Sequence, residues 1–228
     1  GYVLDGSVRK AGDDLRITAQ LIDASADIHL WGEKYTGTLH DVFEIQEKVS
    51  RAIVNALKLK LTPQESRMIA ERPTDNIAAY DLYLRANAEA FQFTKAGLDR
   101  ALQLLQKGQD IIGDSSLLDS AMAYIYFQYV NIGIKQEDYI VKAEGYAKKA
   151  LALDPGSSQA HTVLGAIEQG FRGDQRQGLG HFQRALTGHP NDPVPLISLA
   201  VSYIQVLGQF SAGTRIVKRL MTVDPLNS

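Results

Sequence analysis

The side chains able to do chemistry are few and poorly grouped. The five histidines stand at His29, His40, His161, His181 and His189, and none has the spacing of an HExxH zinc helix. His29 lies close to Trp31 in a run that reads as a strand, so a structural position is expected there. The absence of cysteine removes thiolate metal ligation, disulfides and a cysteine nucleophile. The stretch GFRGDQRQGLG at 170–180 is rich in glycine. It lacks the Lys-Ser/Thr of a phosphate loop and follows no strand, so it reads as a helix–helix turn plus a close-packing position. Asp13-Asp14 and Asp23/Asp27 could hold a cation, but aspartate in turns ordinarily hydrogen-bonds local backbone. No serine sits in a nucleophile elbow. The sequence therefore predicts no catalytic residue, no metal site, no cofactor and no enzymatic role for this chain.

Composition narrows the partners. The 228 residues are 45% hydrophobic and 22% charged, a balance that supports a packed core. The net charge of −2 lacks the basic excess of a phosphate-tracking surface, so nucleic acid is not expected as a partner. Tyr80, Tyr83, Tyr124, Tyr126, Tyr129, Tyr146 and Tyr203 fall at helical spacing without interleaved basic residues, which predicts packing rather than base stacking. No apolar stretch is long enough to span a bilayer, and the chain is expected to work away from the membrane, in the cytoplasm.

The elements that carry these residues are of two kinds. Tyr2 to Arg9, Leu15 to Asp23 and Ile28 to Tyr35 read as strands. Leu15, Ile17, Ala19 and Leu21 alternate onto one face, with Arg16, Thr18 and Gln20 on the other. From about Asp41 the period becomes helical, through Val42, Phe43, Ile45, Gln46, Val49, Ile53 and Leu57. A β-β-β-α unit has one helix to cover a sheet face, and its edges need management. A further strand and helix before Gly1, or a second copy of the chain, is expected to complete it.

The rest is repetitive. KKALALDP ends at Pro155, QRALTGHP at Pro190 and KRLMTVDP at Pro225, in steps of 35 residues. The tetratricopeptide period is about 34. Ala143, Gly178 and Gly213 each stand twelve residues before their proline, and Ala101 stands twelve before Gly113. These small residues mark where paired helices approach. Leu164-Gly165 and Leu199-Ala200 take matching places on first helices, and Gly173-Asp174 and Gly208-Gln209 mark the turn inside a pair. Four helix pairs are predicted, at roughly 76–112, 115–154, 157–189 and 191–224, with a longer loop near 132–138. The fold class is thus mainly α, a helical-hairpin superhelix of tetratricopeptide (TPR) type behind a small α/β partial domain. The expected division is 1–62 for the α/β part, 63–75 for a linker and 76–228 for the repeats.

Stacked pairs form a superhelix whose concave groove, lined by first helices, binds a peptide or a partner helix. The candidate groove residues are Arg85, Tyr124, Gln128, Thr162, Gln169, Ser198 and Gln205. No basic pattern for clamping a terminal carboxylate is visible. The first helix of the last repeat is apolar on nearly every side (Val194, Leu196, Ile197, Leu199, Val201, Tyr203, Ile204, Val206, Leu207), and no polar cap follows Pro225. That predicts cover from another molecule, and a homodimer through this repeat or through the amino-terminal sheet is an expectation.

YVLDGSVRKAGDDLRITAQLIDASADIHLWGEKY followed by DVFEIQEKVSRAIVNAL resembles the second half of a TolB amino-terminal-like domain. It is similar to the version that lies behind a class III adenylate/guanylate cyclase domain and in front of tetratricopeptide repeats. ERPTDNIAAYDLYLRA at 71–86 resembles the joining stretch in that family. The likeness covers roughly the first ninety residues. It implies a regulatory, protein-binding region of a bacterial cyclic-nucleotide signalling protein, and it carries over no catalytic residue, since the cyclase domain is absent. Alternatives are the sensor region of a winged-helix transcription regulator, or a stand-alone TPR scaffold.

Overall fold

The computed structural model describes residues 1–134 and 137–223. It divides into two compact units, Gly1–Ile77 and Ala78–Ser228.

In the first unit β1 (Tyr2–Ala11), β2 (Asp14–Asp23) and β3 (Ile28–Thr38) form an antiparallel sheet in the order β1-β2-β3. The first hairpin is tighter than the sequence suggested, because Gly12 takes φ +62° and lets a two-residue turn follow the strand twist. Leu30 is left unpaired where the β2–β3 register shifts between Leu21 and Ile22, a bulge in β3. The alternation of β2 places Leu15, Ala19 and Leu21 in the interior beside Phe43 and Ile45 of α1 (Val42–Ala56). Asp41 starts that helical segment, its Oδ2 accepting from the Thr38 N–H at 2.7 Å. The segment read as a linker contains α2 (Pro63–Ala70). Thr62 caps it, taking the Glu65 N–H, while the Glu65 carboxylate returns to the Thr62 N–H, and Pro63 fills the first helical position.

The second unit is four helix pairs: α3 (Ile77–Ala90) with α4 (Lys95–Ile112), α5 (Ser116–Asn131) with α6 (Glu137–Leu153), α7 (Ser158–Ile167) with α8 (Gln175–Gly188), and α9 (Pro193–Val201) with α10 (Phe210–Val223). Wider, π-type turns extend α7 over Glu168–Arg172 and α9 over Ser202–Val206. Helices start where side chains satisfy the free N–H groups of the first turn: Thr94, Ser115, Ser157, Asp174 and Asp192 are N-caps. The small residues sit at the tightest helix approaches. A Cβ added at Gly178 would lie 2.2 Å from Gln169 Cγ, and one at Gly213 would lie 2.3 Å from Ile204 Cγ1. Ala101 and Ala143 are fully buried in the corresponding places.

First helices stack on first helices, α5 on α7 and α7 on α9, while each second helix reaches the first helix of the following pair. One core packs Ala86, Ala90, Leu98, Leu105, Leu118, Met122 and Ile125; the next joins Ala123, Ala143, Ala147, Ala150, Val163 and Ile167. Within the chain, α9 is covered on one side. Leu196 and Leu199 are buried, while Val194, Ile197 and Val201 are exposed. Pro225 and the residues around it lie outside the described residues, as do Lys135 and Gln136 of the predicted loop. No described helix is long and apolar enough to cross a membrane.

Candidate functional site

The candidate site is the first-helix surface of the repeats, and stacking decides which of its side chains remain available. Arg85 on α3 is exposed, 3.5 Å from Asp81 one turn earlier. Gln205, in the π turn after α9, is also exposed. Ser198 is half-buried and its hydroxyl donates to the Val194 carbonyl at 3.0 Å. Tyr124 is half-buried against both cores, and burial raises its hydroxyl pKa. Gln128 is buried, its Oε1 accepting from Asn131 Nδ2 at 3.0 Å. Thr162 is buried too, donating to the Ser158 carbonyl at 2.8 Å. Gln169 packs over Gly178, and its Oε1 lies 2.7 Å from the Ser202 hydroxyl. That hydroxyl is 2.6 Å from the Ser198 carbonyl, so Gln169 and Ser198 meet through Ser202.

The seven predicted positions thus separate. Arg85 and Gln205 lie open in the outer pairs, Tyr124 with Gln128 forms one inner cluster, and Gln169 with Ser198 forms another. Helical periodicity finds the face but not the cover, because α7 is enclosed by neighbours from both adjacent pairs. Exposed apolar side chains lie on the same outer first helices: Leu84 on α3, and Val194, Ile197 and Val201 on α9.

Three polar arrangements escaped the sequence reading. The first is Asp119 on α5, which is completely buried. Gln109 Nε2 donates to its Oδ1 at 2.8 Å, while its Oδ2 has no hydrogen-bond partner. Burial first, then the nearby Asp114 charge, push its pKa up to about 6, against the opposing effect of Lys149. Its place in the first turns of a capped helix could have flagged it, but nothing in the local pattern marks it as buried.

The second is a histidine pair inside the third repeat. His161 Nδ1 and His181 Nδ1 are 3.0 Å apart, and His161 Nε2 is 3.1 Å from the Pro155 carbonyl. A carbonyl only accepts, so His161 carries its proton on Nε2 and its Nδ1 accepts from His181. Burial lowers both pKa values, and the His161 charge lowers that of His181 further. Both rings are therefore held neutral.

The third is a polar cleft of about 530 Å³ between α6 and α8, with α7 between them. Arg172 donates to Glu168 Oε1 and Glu144 Oε2, each at 2.5 Å, and Lys148 Nζ lies 2.6 Å from Glu144 Oε1. The Lys148 hydrogen bond, then Arg172, holds the Glu144 carboxyl below its ordinary range. Both carboxylates are matched by cations, so the cluster ties repeat two to repeat three and offers no free base. Among the described residues, no group of three or more His, Asp or Glu is placed to hold a metal ion.

No family model matches the chain. It is 34% identical over 165 residues to "Putative adenylate cyclase 3" of Rhizobium meliloti (strain 1021), a match that spans 72% of this chain and 28% of the relative. It is 31% identical over 104 residues to the transcriptional regulator HilA of Salmonella typhimurium, covering 45% of this chain and 18% of that protein. The chain therefore spans less than a third of the length of these relatives. Among solved structures it is similar to TTC0263, a thermophilic TPR protein of Thermus thermophilus. That likeness has a TM-score of 0.55 at 15% identity and covers 83% of this chain and 91% of the other. The fold is of TPR type.

Proposed function

We propose that this chain is a non-catalytic protein-binding region of a bacterial cyclic-nucleotide signalling protein, working in the cytoplasm beside a cyclase domain. The observation that carries the reading is the stack of four helix pairs whose outer first helices present polar and apolar side chains together, Arg85 with Leu84 and Gln205 with Val201. Such a surface suits an amphipathic helix or an extended peptide. The relative named for adenylate cyclase supports the signalling context, and the amino-terminal unit is read as part of a TolB-like domain.

The test uses the parent protein with and without residues 76–228. Cyclic-nucleotide formation is measured from ATP and from GTP, and a photo-crosslinking residue is placed at 85 or 205. The expected outcome is a cyclase whose rate changes, without vanishing, when the repeats are removed, and crosslinks to one protein at both positions. A parent that makes no cyclic nucleotide and binds duplex DNA refutes this reading. It would favour the second reading, a transcription regulator, which the HilA match supports.

A further inference from the structure

We propose that the outer face of α8 is a docking site for an acidic peptide segment of a partner protein, whose carboxylates are taken by Arg176 and Arg184 on either side of Gly180. The site is separate from the first-helix surface and does not depend on what that surface binds.

α8 belongs to an inner pair, with helices of the chain packed on both its sides. Its outer face lines a cleft of about 590 Å³ that reaches Leu207, beyond the π turn of α9. Arg176 and Arg184 are exposed there, about 12 Å apart along the helix axis. Gly180 lies midway between them. Residues three and four positions away are neighbours on a helix surface, so Gly180 is ringed by Arg176, Gln177, Gln183 and Arg184. All four carry N–H donors. A Cβ built at Gly180 would meet nothing within 4 Å. Unlike Gly178, this glycine serves no close helix approach, although glycine weakens a helix interior. It leaves a notch between two cations.

Charge selects the occupant. From Gln175 to Val223 the sequence holds five Lys or Arg side chains and one acidic residue, Asp192. Asp192 is committed as the cap of α9 and to the Ser158 hydroxyl. Elsewhere in the repeats Arg85, Lys95, Lys142 and Lys148 each pair with an acid one turn away. Arg176 and Arg184 form no such pair among the described residues. Asp174, two residues before Arg176, already accepts the Gln177 N–H and its side-chain amide. His181 lies in the same cleft and is held neutral, by burial first and then by His161, so the arginines carry the charge.

The polar groups around the arginines favour a peptide over a phosphate chain. Gln175 Oε1, in the wall of the cleft, is buried and has no hydrogen-bond partner among the described residues. A buried acceptor calls for a donor. A peptide offers one in its backbone N–H groups, and a phosphodiester backbone offers none. The neighbouring cleft carries Glu144, Glu168 and Asp174, which repel a phosphate chain laid across the stack. An extended peptide rises about 3.3 Å per residue with side chains alternating, so carboxylates four residues apart match the two arginines.

The probe is a fluorescein-labelled, carboxy-amidated peptide with glutamate at every fourth position and serine elsewhere, titrated with the 228-residue chain and read by fluorescence anisotropy. It is expected to bind with an affinity that falls as salt is added, while the same peptide with glutamine in place of glutamate does not bind. Arg176→Glu and Arg184→Glu should each weaken binding about tenfold. Gly180→Glu sets a competing carboxylate one turn from both arginines and should abolish binding, with helix content by circular dichroism unchanged. No binding of the glutamate peptide at millimolar chain, equal binding of both peptides, or binding that survives both arginine reversals overturns the proposal. So does tighter binding of a labelled oligodeoxynucleotide of equal charge, or of anionic lipid vesicles, which would make phosphate the ligand.

Discussion

Replacing Asp119 by asparagine should change how the stability of the helical unit depends on pH more than it changes the stability itself. The carboxyl is fully buried with one oxygen unpartnered, and its pKa rises from 3.8 to about 6. A folded pKa above the unfolded one means that the folded state holds the proton more tightly. The stabilisation is complete below pH 3.8 and is lost as pH rises through about 6. At roughly 1.36 kcal/mol per pKa unit, the loss totals about 3 kcal/mol. Roughly half of it is gone by pH 5, and roughly the other half disappears between pH 5 and pH 7.5. The asparagine side chain keeps the oxygen that accepts from Gln109 and carries no titration. Urea unfolding followed by circular dichroism, on both proteins from pH 5 to pH 7.5, gives the test. The stability of the Asp119→Asn protein relative to the unaltered one should climb by roughly 1–2 kcal/mol over that range and level off above. Parallel pH profiles would refute the reasoning, because they would mean that the carboxyl is as well solvated folded as unfolded.

The histidine pair should act in the opposite direction. Folded pKa values below the ordinary 6.5 make stability fall as pH drops through 6.5, and His161→Gln should flatten that limb in the same urea measurements. Gly165→Ala would place a Cβ 2.5 Å from the Phe182 ring and should lower stability by about 1–3 kcal/mol, read as a lower melting temperature. Leu98→Ala, at a fully buried position, should cost about 2–5 kcal/mol in the same assay. Arg172→Ala leaves the buried Glu168 carboxylate without its cation and Glu144 with one cation fewer, and should cost more than the ~1 kcal/mol of an exposed ion pair, read as a lower melting temperature.

The helix pairs were legible because their signals are local. A proline after three of the four second helices, a small residue where two helices touch, and an N-cap Ser, Thr or Asp all act within a few residues of where they stand. The two-turn helix α2 was legible as well, since Thr62-Pro63 followed by Glu65 is a capping box, but the polar composition around it read as linker. The groove was not legible to the same degree. Gln128 and Thr162 look like solvated helix positions in sequence, yet both are buried, because exposure on a first helix is set by the two flanking repeats. Asp119 and the His161–His181 contact depend on partners 10 and 20 residues away, beyond the reach of helical periodicity.

The two π turns explain an arithmetic oddity of the chain. Pro155, Pro190 and Pro225 are 35 residues apart, one more than the period of about 34 usual for such repeats. Each interval contains one wide turn, Glu168–Arg172 in the first and Ser202–Val206 in the second. A π turn accommodates a single extra residue within a helix that is otherwise α-helical. The surplus residue is taken up as local girth, and the glycine that follows, Gly173 or Gly208, closes the hairpin with positive φ in both repeats. Repeat length in this architecture is therefore elastic by one residue without loss of phase. A first helix in such an array can take up an extra residue as a π turn and still be closed by a glycine at the same place in the hairpin.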